Sequence, residues 1–250
     1  AKNPVAVVTS LVSRYGVRGL AADLVRRANI PVVTTPNDKG TLDESMPQYA
    51  GLYAGMWSSS QEVCDTVAKA DLVLDIGGMV TSELNTGLWT AVADPAKVVS
   101  IQDNWVRAGG KVFVGAAIDD VLAALVAKVA PRPAGAWPRP SQKPLVGGAG
   151  DPISSASLYP RLQRQLRRGD TLVIETGTCM THANKLLLPE GVDAEGQGLW
   201  GSIGWATPAC LGVAMAKCEG RTWMVTGRSE EHTSELQSPC NLVCRLLLEK

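Results

Sequence analysis

Hydrophobic and polar positions follow two alternating patterns along the first half of the chain. Short runs rich in β-branched residues, typical of buried strands, occur at 5–10, 30–35, 71–78, 97–102 and 111–116. Between these runs, apolar residues recur at helical spacing, in segments 19–29, 59–70 and 118–130. Apolar strands separated by helices predict a parallel sheet that is covered on both faces. Residues 1–130 are therefore expected to form a Rossmann-like α/β domain.

The pattern breaks at residues 131–152, where six prolines and several glycines occur without periodicity. Such a segment cannot continue a helix or a central strand, so it is predicted to be an interdomain linker. Residues 153–227 resume the alternation with a helix, the strand "TLVIETG", an apolar helix that opens on glycines, and the strand "RTWMVTG". These elements predict the beginning of a second α/β domain.

Composition and charge narrow the classes of partner. The 250 residues are 45% apolar and 19% charged, and 24 basic side chains balance 24 acidic ones. No basic surface favours nucleic acid or an anionic membrane, and no apolar run approaches the roughly 20 residues of a membrane helix. The start of the sequence lacks a secretory-signal pattern. We therefore expect a small substrate, no nucleic acid or membrane partner, and a cytoplasmic location.

The six cysteines form no CxxC pair, and the two histidines give no zinc-ligand spacing. The cysteines are expected to be reduced thiols that mostly pack in the interior.

Four stretches carry a resemblance to a known family. They are "IPVVTTPNDKGTLDESMPQYAGLYAGMWSSSQEV", "ADLVLDIGGMVTSELNTG", "ETGTCMTHANKLLLPEG" and "LWGSIGWATPACLGVAMA". Together, in this order and spacing, they resemble the thiamine diphosphate-dependent 2-oxo acid decarboxylases, the pyruvate and indolepyruvate decarboxylase group. The resemblance covers nearly all of residues 1–227. It implies that 1–130 is the family's middle domain and that 153–227 is the first part of its C-terminal diphosphate-binding domain.

The resemblance also assigns cofactor contacts. Thr176 and Thr178 in "ETGT" stand at positions that the family uses to contact thiamine diphosphate. In "WGSIG", the Gly201 carbonyl would accept a hydrogen bond from the aminopyrimidine, and Ile203 would wedge between the two rings of the cofactor. Ser202 lies between these two residues in the sequence and is included in the site. Hydroxyls and backbone N–H groups after a parallel strand suit a diphosphate or the aminopyrimidine ring.

The expected reaction of the parent protein follows from the same resemblance. A small 2-oxo acid would give an aldehyde and carbon dioxide, with thiamine diphosphate and Mg²⁺ as cofactors and a homodimer or homotetramer as the assembly. No catalytic residue is assigned within this chain, because the family's activating glutamate and substrate-handling histidines belong to an N-terminal domain that the chain lacks. The chain itself is expected to be inactive.

Two other functions stay open. Residues 1–130 could be a non-catalytic module that binds a nucleotide or a regulator. An acetolactate synthase-like carboligase would fit the same fold, although "LPEG" followed shortly by "WGSIGW" favours the decarboxylases.

The stretch after Gly227 departs from the family pattern. There the family has a metal-binding Asp, and an Asn further along completes the magnesium site. Arg228 occupies the Asp position here, so the metal ligands are expected to be absent. Residues 228–250 can be back-translated in one frame into a common short-read sequencing adapter with its index, and we interpret them as an artefactual tail.

Four further candidates have simpler interpretations. Asp43 and Glu44 are expected to cap or salt-bridge a surface loop, and "DIGG" at 75–78 to be a plain strand-to-loop turn. His182 is expected to be structural. Cys179 lies beside the proposed site, but nothing near it in sequence activates its thiol.

Overall fold

The structure is a computed structural model that describes residues 1–86, 94–133 and 135–227. The chain divides into two compact units, the first being Ala1–Pro140 and the second beginning at Ser141. The division falls inside the segment predicted to be a linker. The prediction of an artefactual tail at 228–250 lies outside the described residues.

The first unit is built on a seven-stranded sheet in the order β3-β2-β1-β4-β5-β6-β7. Its strands, in chain order β1 to β7, are Pro4–Val8, Val32–Thr34, Tyr49–Leu52, Leu72–Ile76, Val98–Ile101, Trp105–Ala108 and Lys111–Val114. The first five strands pair in parallel, and β6 and β7 pair antiparallel. The α/β class and the parallel central sheet predicted from the sequence are confirmed.

Five α-helices accompany this sheet in the described part of the first unit. In chain order α1 to α5 they are Leu11–Arg14, Arg18–Ala28, Gln61–Ala68, Glu83–Thr86 and Ile118–Lys128. Helix α3 begins where the sequence suggests, because the Ser60 hydroxyl accepts the N–H of Val63. Helix α2 ends at Asn29, which adopts a left-handed conformation with φ 49°.

The core of the first unit is made by the central strands. Val5, Val7, Val33 and Val73 have no exposed surface, and they pack with the fully buried Tyr53. Branched side chains fit the pleated faces of a sheet that is covered on both sides, which is why the apolar runs of the sequence become these strands.

The far edge of the sheet differs from a purely parallel arrangement. Strands β6 and β7 form a hairpin in which Ala108 pairs with Lys111 across Gly109 and Gly110, whose φ angles are 56° and 77°. Two positive φ angles in a two-residue loop give a turn that matches the twist of antiparallel strands. All four residues of β7 are exposed, with 52% of Phe113 and 81% of Val114 accessible.

The start of the predicted linker is bonded to the first unit. The Arg132 guanidinium donates to the carbonyls of Ala1 and Lys2 at 2.9 and 2.8 Å, and the Trp137 indole N–H donates to the Pro47 carbonyl at 3.1 Å. The described residues of 131–152 contain no helix or strand. This stretch therefore lacks regular structure but is held locally by its long side chains.

The second unit has its own small parallel sheet in the order β10-β8-β9. Its strands, in chain order β8 to β10, are Thr171–Ile174, Asp193–Gly196 and Thr222–Val225, and its helices, in chain order α6 to α8, are Ser155–Gln165, Thr178–Ala183 and Ala206–Ala216. Leu172, Ala183 and Leu188 are almost fully buried in its core. Across the described residues, no helix is long and apolar enough to cross a membrane.

Candidate cofactor site

The candidate site lies at the carboxyl edge of the sheet of the second unit. Strands β8 and β9 pair in parallel with Ile174 opposite Gly196, and β10 pairs with β8 so that Val225 also lies opposite Ile174. The loops that follow these strands therefore begin side by side. This is the edge at which ligands bind in open parallel sheets.

The loop after β8 contains the predicted residues Thr176 and Thr178. The Thr176 hydroxyl is half-buried and donates to the Gln197 carbonyl, 2.7 Å away on the loop after β9. Gly177 has φ 142°, a conformation that favours glycine, and is the N-cap of α7. Thr178 is exposed as the first residue of that helix. The hydroxyl hydrogen of Thr176 is thus used within the protein, which leaves its oxygen as an acceptor.

The second loop carries Gly201, Ser202 and Ile203. Gly201 has φ 60°, Ser202 is exposed, and 59% of Ile203 is accessible to solvent. A branched apolar side chain that is more than half exposed on a glycine-rich loop is a surface that a flat apolar ring can cover. The N–H of Trp200, just before these residues, donates to the side-chain oxygen of Gln197 at 3.0 Å.

One buried carboxylate joins the two loops. Glu175 follows β8 directly and has no exposed surface. Its Oε1 accepts the N–H of Thr176 at 2.7 Å, and its Oε2 accepts the N–H groups of Gly204 and Ala206 at 3.2 and 2.9 Å. The loops with the five predicted residues are therefore brought together at one sheet edge.

Sequence reasoning missed Glu175 and Gln197 as members of the site. Glu175 had a usable signal, because an acidic residue directly after a buried apolar strand must find hydrogen-bond donors. Gln197 had none, since its role depends on where two loops meet. Its backbone carbonyl and its side-chain oxygen accept from Thr176 and Trp200 respectively.

The donors and acceptors at this edge suit the aminopyrimidine part of thiamine diphosphate. Gly201 supplies a carbonyl, Thr178 an exposed hydroxyl, and Ile203 an exposed apolar surface. Among residues 1–86, 94–133 and 135–227, no group of three or more His, Cys, Asp or Glu side chains is placed to hold a metal ion. The groups at this edge therefore match the hydrogen-bonding and apolar parts of such a ring.

The neighbouring His182 and Cys179 have packing roles. The His182 ring stacks on Tyr159 with centroids 5.1 Å apart and an interplanar angle of 24°. Cys179 is buried, and its Sγ donates to the Glu175 carbonyl at 3.2 Å. The stacking of His182 agrees with its structural interpretation from the sequence, and the buried Cys179 agrees with the expectation that the cysteines mostly pack in the interior.

The acidic pair of the first unit is also structural, but it is not on the surface. Asp43 accepts the N–H and hydroxyl of Ser45 at 2.9 and 2.7 Å, so it caps a turn as expected. Glu44 forms an ion pair with Lys39 at 3.0 Å, in which 2% of the Lys39 side chain and 1% of the Glu44 side chain are exposed. The expectation of a surface loop was wrong for Glu44, because Glu44 and its cationic partner Lys39 are both buried.

The "DIGG" segment is the strand-to-loop turn that the sequence predicts. Gly77 and Gly78 follow β4 with φ 96° and 90°, and a Cβ on Gly78 would overlap the Gln102 side chain. Burial raises the pKa of Asp75, whose carboxylate accepts the N–H of Met79 at 2.7 Å. These contacts fix the turn.

Comparisons with known proteins agree with this architecture. Residues 1–127 match the family model described as thiamine pyrophosphate enzyme, central domain. The chain therefore belongs to the thiamine pyrophosphate enzymes.

Its similarities to individual proteins extend through most of its length. The chain is 33% identical over 220 residues to pyruvate decarboxylase isozyme 3 of Saccharomyces cerevisiae, covering 86% of this chain and 38% of that protein. It is 32% identical over 220 residues to pyruvate decarboxylase of Hanseniaspora uvarum, covering 86% and 39%. Pyruvate decarboxylase of Candida albicans is 30% identical over 224 residues, with 88% and 39% covered. The chain thus spans about two fifths of the length of these relatives.

Proposed function

We propose that this chain is part of a thiamine diphosphate- and Mg²⁺-dependent 2-oxo acid decarboxylase, which converts a small 2-oxo acid to an aldehyde and carbon dioxide. The similarity to pyruvate decarboxylases over 86% of the chain is the observation that carries the proposal. It extends beyond the central domain into the second unit, and this favours a decarboxylase over a carboligase or a free-standing binding module. The family also suggests a homo-oligomer.

The proposed roles of this chain's residues concern binding the cofactor. The Gly201 carbonyl accepts a hydrogen bond from the aminopyrimidine, and Ile203 packs between the rings to hold the cofactor bent. Thr176 and Thr178 contact the cofactor from the facing loop, and Ser202 completes the second loop. When bound, thiamine diphosphate supplies the electron sink that allows carbon dioxide to leave.

The chain itself is proposed to be inactive. The position at which the family has its metal-binding Asp is Arg228 in this sequence. A fixed cation there would oppose a divalent metal a few ångströms away by several kcal/mol at an effective dielectric near 20. The diphosphate would then lack the metal that compensates its charge.

The proposed inactivity of the chain is tested by a binding titration and an activity assay. Calorimetric titration of the 250-residue chain with thiamine diphosphate, with and without Mg²⁺, should show no magnesium-dependent binding. Aldehyde release from pyruvate and larger 2-oxo acids should be absent. Micromolar, magnesium-dependent binding would contradict the proposed inactivity.

The parent activity is tested on the protein encoded by the intact source locus. It should release aldehyde and carbon dioxide from a 2-oxo acid, and Ile203→Ala should weaken cofactor binding. Ile153→Ala is the matched control, because Ile153 is an isoleucine of the same unit with 83% of its surface exposed. A protein that only joins two 2-oxo acids, or that processes none, would overturn the decarboxylase proposal.

A further inference from the structure

We propose that Glu175 is a positioning residue that holds the "ETGT" and "WGSIG" loops in a single arrangement. The link to the cofactor rests on the proposed function, since that is what assigns cofactor contacts to these loops. Glu175 does not itself face a ligand, because it has no exposed surface. It acts through the backbone of both loops.

Each of the two carboxylate oxygens of Glu175 binds a different loop. Oε1 binds the N–H of Thr176, the next residue in the chain, and so fixes the start of the first loop. Oε2 binds the N–H groups of Gly204 and Ala206, which lie 29 and 31 residues further along the chain. A carboxylate offers acceptor sites on both oxygens, whereas an amide has one acceptor oxygen and presents donors on the other side.

The second loop is held at both of its ends. Trp200 is bonded to Gln197 at the start, and Gly204 is bonded to Glu175 at the end. The residues between these bonds are Gly201, Ser202 and Ile203, which are the predicted cofactor contacts. Their backbone is therefore bracketed, while Ser202 and Ile203 keep exposed side chains.

The start of α8 explains why a charge is tolerated in this buried place. Ala206 is the first residue of that 11-residue helix, and its N–H points at the carboxylate. The unsatisfied N–H groups and the dipole of a helix N-terminus favour a negative charge. Glu175 occupies this position, so the Gly204 and Ala206 amide groups are bonded within the protein.

The tether is tested first without cofactor, by amide hydrogen exchange on the whole chain. Glu175→Gln keeps the size of the side chain but replaces one acceptor oxygen with a donor. Protection of the Gly204 and Ala206 amides should fall by about tenfold or more, while amides within β8 keep theirs. Glu190→Gln is the matched control, because 60% of that side chain is exposed and its partner Arg168 is also on the surface.

Two results would overturn the proposal. One is unchanged protection at Gly204 and Ala206, and the other is an equal loss throughout the second unit, which indicates a purely structural role. If Glu175→Gln fails to fold, Glu175→Asp serves instead, because it keeps the charge but is too short to serve both loops. The same selective loss is expected from it, and the same two results would count against the proposal.

Cofactor binding separates this inference from the proposed function. In the protein from the intact locus, Glu175→Gln should raise the dissociation constant of thiamine diphosphate by about tenfold or more, measured by tryptophan fluorescence. If the unmodified protein binds no thiamine diphosphate, the proposed function fails while the exchange result still decides whether Glu175 positions the loops. If it binds and Glu175→Gln binds equally well, the positioning role for the cofactor is refuted.

Discussion

At the scale of single residues, buried charges organise both units. In the second unit, Asp170 stands at the opposite end of β8 from the candidate site. It accepts the guanidinium of Arg221 at 2.6 Å and the indole N–H of Trp223 at 3.0 Å. Burial acts to raise the pKa of Asp170, but the bonds from Arg221 and neighbouring N–H groups outweigh it and hold the pKa below its usual value. Asp170 therefore ties β8 to β10 as an anion.

Replacing Asp170 by Asn should destabilise the second unit by about 2 kcal/mol, because a hydrogen-bonded charge pair is lost. The loss is smaller than for a fully buried pair, because 43% of the Arg221 side chain is exposed to water. Hydrogen exchange of the β8 and β10 amides measures the change. The control is Glu190→Gln, whose exposed ion pair with Arg168 should contribute less than about 1 kcal/mol. Equal effects of the two changes would contradict the role given to Asp170.

The lowered pKa of Asp170 makes the stability of the second unit depend on pH. Because the folded pKa of Asp170 is lowered, its contribution to stability is fully present above the unfolded pKa of about 4 and is lost as the pH falls through the folded value. The difference in stability between the native chain and Asp170→Asn should be constant near neutral pH and shrink below about pH 4. Urea unfolding at a series of pH values tests this, and a difference that grows towards acid would refute it.

In the first unit, the buried Lys39–Glu44 pair should be sensitive to loss of one partner. Glu44→Gln leaves a buried ammonium without its counter-charge, which typically costs about 3–5 kcal/mol. The double change Lys39→Met with Glu44→Gln should recover a substantial part of this loss, because neither member of the pair then carries a buried charge. Thermal unfolding followed by circular dichroism compares the two variants. A double variant no more stable than Glu44→Gln would count against a charge effect.

At the scale of elements, how much the sequence could predict depended on whether the pattern was local. Helix α3 and strand β4 follow from periodicity and from the Ser60 cap. Strand β9, "DAEG", has no apolar alternation and becomes a strand only because it pairs with β8. The direction of β7 was missed although Gly109 and Gly110 favour a hairpin, since strand direction is fixed by pairing.

In the candidate site, too, local motifs could be predicted from the sequence and long-range contacts could not. The residues of "ETGT" and "WGSIG" could be proposed from their motifs, and whether they bind the cofactor stays a prediction. The buried carboxylate between them could not be assigned its role, because its partners Gly204 and Ala206 are distant in sequence. Contacts of that kind depend on the packing of loops and leave no periodic pattern.

Two glycines of the second unit give a matched test of element packing. A Cβ on Gly220, which has φ 83°, would overlap the backbone of Gly169, whereas nothing lies within 4 Å of a Cβ on Gly212 in α8. Gly220→Ala should destabilise the unit by about 2 kcal/mol or more. Gly212→Ala should stabilise it by about 0.5–1 kcal/mol through helix propensity. Pulse proteolysis in urea measures both, and the same sign for the two would contradict the close approach of Gly220 to the Gly169 backbone.

At the scale of the whole molecule, the chain joins a unit that matches a central domain to a smaller unit that carries the candidate site. Residues 1–127 match the central domain of the thiamine pyrophosphate enzymes, and the chain spans about two fifths of its curated relatives. The loops with the proposed cofactor contacts belong to the second unit.

Resequencing the source locus tests the interpretation of residues 228–250. We expect Asp-Gly-Ser or a close variant directly after Gly227, followed further on by an Asn that supplies another magnesium ligand. The reason is the adapter-like reading frame of the present residues. A genomic clone that encodes "RSEEHTSELQS" from the organism's own DNA would show this interpretation to be wrong.

The exposed strand β7 has a consequence for how the protein behaves at high concentration. It is the last strand of its sheet in the described residues, and Val112, Phe113 and Val114 are all more than half exposed. An apolar strand at the edge of a sheet is a template for strand addition between molecules, so turbidity should rise with concentration. Val114→Lys should suppress this aggregation in light scattering, because a charged edge resists pairing, whereas Val80→Lys, at an exposed valine outside the strands, should not.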